Sequence, residues 1–195
     1  TADQFYPFIV NKHFFYLTGI NEENIILMMV KSKGHNLTYL FIEETTPFMK
    51  QWVGEKISKK EASTISSIPV NKILFIKSFS SFFRRIMTPS RTNLQTPSKL
   101  YLDLLRPNEK TNAISLEHFK DIIDTFKELQ IDNINQYINR LRMYKNDDEI
   151  KRLKAAIGIT KLGLNRIMKS LKIRDNEHQI EADFEHEITL NGAEG

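Results

Sequence analysis

Two apolar runs lie close together near the start of the chain, "NIILMMV" at residues 24–30 and "LTYLFIE" at 37–43, separated by the polar "KSKGHN". Neither run alternates apolar with polar residues, so each reads as a strand buried on both faces rather than one with a wet side. Both fall far short of the about 18 residues that a membrane-spanning helix requires. A connection of six residues carrying one glycine then implies an antiparallel hairpin inside a larger sheet that is covered on both sides. A chain built around such a pair needs helices to cover the sheet, which makes it an α/β domain.

The flanking segments follow the same logic. "HFFYLT" (13–18) reads as a short aromatic core strand ended by Gly19, so that residues 1–45 form a run of strands. "TTPFMKQWVG" has a threonine cap, Pro47 at a first helical position and Gly54 as its stop, and is expected to be a short helix. "SKKEASTISS" (58–67) opens with Ser58 and Glu61 in capping-box spacing. "KILFIK" (72–77) is a third strand candidate, and Phe79, Phe82, Phe83 and Ile86 recur at helical spacing over 78–87. After the loop "PSRTNLQTPS", "KLYLDLL" (99–105) reads as a strand. Residues 115–130 then read as an amphipathic helix, with apolar positions at 116, 119, 122, 123, 126 and 129.

The pattern changes near Tyr144. Asn146 and Glu149 form a second capping-box signature, followed by an apolar stripe at 150, 153, 157, 164, 167, 168 and 171. A last helix starts after Asn176, lines Ile180, Phe184 and Ile188 on one face, and ends at Gly192. These final residues bring two helices and no sheet to bury their apolar faces, as expected for the opening of a second domain.

Composition narrows the chemistry. The 195 residues contain no cysteine, which removes disulfides, thiolate zinc sites and thiol catalysis, and fits a reducing cytoplasm. A net charge of +4 invites a nucleic-acid reading, yet the basic residues are interleaved with acids on helical faces and alternate with no stacking aromatics. The polar opening "TADQ" does not read as a signal peptide, and phosphate-binding or nucleophile-elbow glycine motifs do not occur in these residues. His178, Glu181, Asp183, Glu185, His186 and Glu187 crowd the last helix. "HEITL" has no second histidine four residues on, so the zincin pattern fails, and a solvated polar face accounts for them better. The acids of "TGINEEN" are wrongly spaced for calcium. His13, His35 and His118 offer no evident partner. Trp52, the single tryptophan, suits core packing or an interface anchor.

Three segments carry a family resemblance. "DQFYPFIVNKHFFYLTGINEEN" (3–24), "LFIEETTPFMKQWVGEKISKKEA" (40–62) and "NRLRMYKNDDEIKRLKAAIGIT" (139–160), with "IEADFEHEITLNGA" beyond, resemble the corresponding segments of aminopeptidase P (Xaa-Pro aminopeptidase) in the same order. The resemblance implies a creatinase-type N-terminal domain, a mixed sheet with flanking helices, over 1–143. Residues 144–195 would be the first two helices of a pita-bread catalytic domain. It implies a metal-dependent enzyme that releases the residue preceding proline from peptides. Two divalent ions, manganese expected, would be held by two Asp, one His and two Glu downstream of residue 195. On this basis no catalytic residue, metal ligand or bound metal is expected in this chain, and the chain is expected to be trimmed at both ends. Trp52 falls on a family tryptophan that lies at a subunit contact and helps to wall a neighbour's proline pocket, in a homodimer or tetramer. Neither a membrane nor a nucleic acid is an expected partner. The alternatives within the same architecture are an Xaa-Pro dipeptidase, a non-catalytic pita-bread binding module and a creatinase-like amidinohydrolase.

Overall fold

The computed structural model describes residues 8–32, 34–45, 48, 50–51, 54–88, 95–104, 119–120 and 122–193. The chain divides into two compact units, Thr1–Ile138 and Asn139–Gly195.

The first unit is organised by the two apolar runs. They form β1 (Ile26–Ser32) and β2 (His35–Ile42), paired antiparallel with Ile26 opposite Phe41 and Ser32 opposite His35. Gly34, at φ +80°, lies in the connection, a backbone region that glycine enters without steric cost. The connection is tighter than expected, because Lys31, Ser32, His35 and Asn36 all join the ladder. β3 (Ile73–Phe75) adds to the other edge of β2 in parallel.

Side chains leave successive strand residues on opposite faces, and here both faces are covered. On one side Met28, Val30, Tyr39 and Phe41 meet Phe79, Phe82, Phe83, Ile86 and Met87 of a following helix. On the other, Leu27, Leu40, Ile42 and Ile73 meet Ile20, Ala62 and Ile68. That double burial is why the runs do not alternate. β2 ends in three residues at most 1% exposed, Leu40, Phe41 and Ile42. Rings on the first side pack edge to face, Phe41 against Phe79 at 5.0 Å and against Phe82 at 5.5 Å between centroids, the geometry favoured by the aromatic quadrupole.

One expectation fails here. "HFFYLT" is not a strand: residues Lys12–Thr18 form the helix α1. Asn11 caps it, its Oδ1 accepting from the His13 and Phe14 N–H groups, and Gly19 closes it at φ +71° with its N–H donated to the Phe15 carbonyl. Within α1, His13, Phe14, Leu17 and Thr18 turn toward the protein whereas Phe15 and Tyr16 stay exposed, the i, i+1, i+4, i+5 spacing of a helix. The run of four aromatic or apolar residues, Phe14 to Leu17, conceals this periodicity, and the caps decide the outcome. The acids that follow are structural: Glu22 accepts from the Ile57 N–H, and Glu23 pairs with Lys56 at 2.7 Å.

α2 (Lys59–Ser66) begins with the expected Ser58–Glu61 capping box, and α3 (Phe79–Met87) carries the expected aromatic face. The strand expected over 99–105 is β4 (Lys99–Leu102). Residues 119–120 and 122–125 are helical, but Gln130, expected to end that helix, instead opens β5 (Gln130–Asn133), which pairs parallel with β4. "QIDN" has one strongly apolar residue and becomes a strand through pairing with β4. A further helix, α4 (Asn135–Met143), spans the division between the units.

The second unit is a pair of packed helices, α5 (Asp147–Ser170) and α6 (Glu177–Leu190). The expected capping box closes: Glu149 N–H donates to Asn146 Oδ1 at 2.9 Å and Asn146 N–H to Glu149 Oε2 at 2.8 Å. Gly163 is the point of closest approach, since a Cβ there would lie 2.6 Å from the Phe184 ring and 3.1 Å from Ile188. Much of the remaining apolar stripe, including Leu153, Ile157, Leu164 and Met168, is exposed.

The two glycines of α5 are expected to respond to alanine with opposite signs. Gly158, with nothing within 4 Å of its would-be Cβ, should gain ~1 kcal/mol from helix propensity. Gly163→Ala should lose ~1–3 kcal/mol through overpacking, and urea unfolding followed by circular dichroism resolves the two.

Candidate functional site

A cavity of about 620 Å³ in the first unit is lined by residues 25–31 along β1 and 97–103 along β4. Phe14 and Leu17 of α1 border it, as do Phe83, Ile86 and Met87 of α3. Its lining is mostly apolar; the polar residues include Lys31, Ser98 and Lys99 and a hydrogen-bonded group of three, Asn11, His13 and Asp103. His13 is 5% exposed and holds Nδ1 3.1 Å from Asp103 Oδ1 and 3.2 Å from Oδ2. Asn11 donates from Nδ2 to Asp103 Oδ2 at 2.9 Å while its Oδ1 caps α1. One asparagine therefore ends the helix and fixes the carboxylate that orients the histidine. The sequence offered no sign of this, because the partners are 90 residues apart and lie on separate elements. The arrangement fastens the start of α1 to the end of β4; it is a positioning device beside an apolar cavity.

The acidic helix of the second unit resolves differently from its sequence pattern. Asp183 is not part of a solvated face: it is 6% exposed. Its carboxylate accepts a bidentate pair from Arg174, Nε to Oδ2 and Nη2 to Oδ1, both at 2.8 Å, with Arg166 3.6 Å away. The Arg174 hydrogen bonds lower the Asp183 carboxyl to about 2, further aided by Ser170 and by the charges of Arg174 and Arg166. Arg166 also donates to Glu187 at 3.1 Å. His178 and Glu181 are exposed and 3.7 Å apart.

Among the described residues no group of three or more His, Cys, Asp or Glu is arranged to hold a metal ion. The donor set of the last helix thus does not fit a metal centre: Asp183 is committed to arginine, and His178 points into solvent beside one carboxylate. Trp52 and His118 lie outside the described residues. No helix among the described residues is long and apolar enough to cross a membrane.

Comparison with known proteins places this arrangement. Residues 1–94 match the family model for the aminopeptidase P N-terminal domain. The whole chain superposes on a Bacillus anthracis chain assigned to aminopeptidase P, with a TM-score of 0.82 and 32% identity, covering 100% of this chain and 45% of that one. The chain is a homologue of the N-terminal region of aminopeptidase P. Xaa-Pro aminopeptidase of Haemophilus influenzae is 25% identical over 188 residues, 96% of this chain and 40% of its own length. That of Escherichia coli is 24% identical over 197 residues, 99% of this chain and 43% of its own. The chain therefore spans about two-fifths of the curated relatives it matches. A zinc-substituted E. coli aminopeptidase P in complex with product shares the fold at a TM-score of 0.78 and 20% identity.

Two outcomes test the geometry of this homologue. Asp103→Ala should cost ~1–3 kcal/mol by leaving buried His13 without that acceptor, read as a lower urea midpoint for the sheet unit. The Asp183 carboxylate is held ionised down to about pH 2, against 3.8 for an ordinary aspartate. Its stabilisation is therefore full above the ordinary value and is lost as pH falls from about 4 toward 2. The stability gap between the parent chain and Asp183→Asn, measured by thermal melts, should narrow over that interval.

Proposed function

We infer that this chain works as the N-terminal portion of a metal-dependent Xaa-Pro aminopeptidase, an enzyme that hydrolyses the bond between an N-terminal residue and a following proline. One observation carries this inference: a single alignment with Xaa-Pro aminopeptidases runs through both structural units and covers 96% of the chain. In this reading residues 1–143 are an accessory domain and 144–195 open a pita-bread catalytic domain. Two divalent ions, manganese expected, would be held in this reading by residues outside these 195. The contribution of the 195 residues is then to fold, to present surfaces for assembly into a homodimer or tetramer, and to join the catalytic part through α5 and α6. Trp52 is assigned to the subunit contact, beside a neighbour's proline pocket. The absence of cysteine supports a cytoplasmic setting.

The purified 195-residue chain should show no manganese-dependent release of the first residue from an Xaa-Pro peptide. The same residues expressed with the remainder of their open reading frame should release it and lose that activity to a chelator. Cleavage by the 195-residue chain alone would overturn the assignment of roles, and an inactive long product would favour a non-catalytic binding module. In the active long product, Trp52→Ala should raise KM for Xaa-Pro peptides or shift the assembly state on size-exclusion chromatography, with kcat changing less.

A further inference from the structure

Asn191 is the one asparagine of the sequence that glycine follows. In such a pair the glycine nitrogen can attack the asparagine Cγ, because glycine has no Cβ to shield its backbone. The Gly192 nitrogen gives up its proton and bonds to Cγ, and the Cγ–Nδ2 bond breaks. Nδ2 leaves as ammonia with that proton. Water then opens the five-membered succinimide at either carbonyl, leaving aspartate or isoaspartate. The reaction needs no oxidant or co-reactant besides water, so local structure sets its rate.

The pair ends α6, and the helix cap holds it away from reaction. Asn191 follows the last helical residue at φ −94° and ψ 14°, and Gly192 comes next at φ +83°. Closing the ring requires a large rotation about the Asn191 ψ, to bring the Gly192 nitrogen beside Cβ. Hydrogen bonds on both sides of that bond oppose the rotation. The Gly192 N–H donates to the Thr189 carbonyl and the Ala193 N–H to the Ile188 carbonyl, both at 3.0 Å. Asn191 Nδ2, the leaving nitrogen, donates to the Glu187 carbonyl at 2.8 Å. Burial gives no protection: both residues are exposed, and nothing among the described residues lies within 4 Å of a Cβ built on Gly192. Water and base reach the site, and the cap is the barrier.

We propose that Asn191–Gly192 is a deamidation site gated by the last turn of α6, closed while the cap is formed and reactive when that turn frays. Fraying of a terminal turn costs far less than unfolding the unit. The product also disfavours its own cap. An aspartate at 191 lacks the Nδ2 donor and adds negative charge at the negative end of the helix dipole. That charge falls beside the Glu187 carboxylate, whose Oε1 lies 3.4 Å from Nδ2. Isoaspartate in addition inserts a methylene into the backbone. Each opening that reacts is therefore kept as a lasting loosening of the end of α6. The reaction depends on α6 alone and is independent of peptidase activity.

The 195-residue chain is incubated in mildly alkaline buffer, and peptide mapping by mass spectrometry follows conversion of amide to acid at every asparagine. The hexapeptide Ile-Thr-Leu-Asn-Gly-Ala, blocked at both ends, is the uncapped reference. Asn191 should convert about tenfold or more slowly in the folded chain than in the peptide, yet faster than any other asparagine of that chain. Leu190→Gly, at a side chain 71% exposed, weakens the last turn while removing little packing and should speed conversion severalfold. If circular dichroism shows that this variant loses its helices, the parent chain in urea below its unfolding midpoint should show the same rise. Asn191→Asp should speed hydrogen exchange severalfold at the amides of residues 191–193 and leave the start of α5 unchanged. Conversion at the peptide's rate, or no faster than at the other asparagines, overturns the proposal. So does a rate indifferent to Leu190→Gly and to urea, or exchange unaltered by Asn191→Asp.

Discussion

The structure of the first unit depends on burying β2 from both sides. Leu40, Phe41 and Ile42 point alternately to opposite faces, and each is at most 1% exposed. Such burial is met only if separate layers exist above and below the strand. The aromatic face of α3 provides one, and the group of Ile20, Ala62 and Ile68 provides the other. Fully burying one such side chain contributes ~1.5–3 kcal/mol, so a three-residue stretch of this kind outweighs any single cap or ion pair in the unit. The positions of α1, β1 and β3 follow from this strand.

The second unit is held together by contact of another kind. Its helices approach most closely where Gly163 meets Phe184 and Ile188, and the Arg174 guanidinium closes the pair by gripping Asp183 with two hydrogen bonds. Leu153, Ile157 and Met168 of α5 remain half or more exposed. This suits the proposed role of the unit as the start of a larger catalytic domain. In the sheet unit, by contrast, the cavity bordered by β1 and β4 lies under cover of α1 and α3.

Legibility from sequence tracked the range of the interaction involved. Capping boxes at Ser58–Glu61 and Asn146–Glu149 were readable because both partners sit within four residues. The aromatic face of α3 and the apolar runs of β1 and β2 were readable because periodicity is a local property. The misreading of α1 came from the same rule: four consecutive aromatic or apolar residues carry no period, and the weight lay with Asn11 and Gly19 at the ends. β5 was missed because Gln130, Asp132 and Asn133 have little strand preference, and partnership with β4 overrides it. Asp183 looked like one acid among many until Arg174, nine residues before it, was brought against it.

By itself the sequence determined the kind of chain this is. Two near-continuous apolar runs demand a sheet covered on both faces, two spaced motifs start helices, and three segments carry a likeness to aminopeptidase P that fold comparison upholds at a TM-score of 0.82. Only the tertiary structure decided which distant residues meet. His13 finds Asp103 across 90 residues, and β1 and β4 come to border one cavity. Local sequence specifies the conformational preferences of a few neighbouring residues, whereas contacts between remote segments exist only after the whole core has chosen its packing.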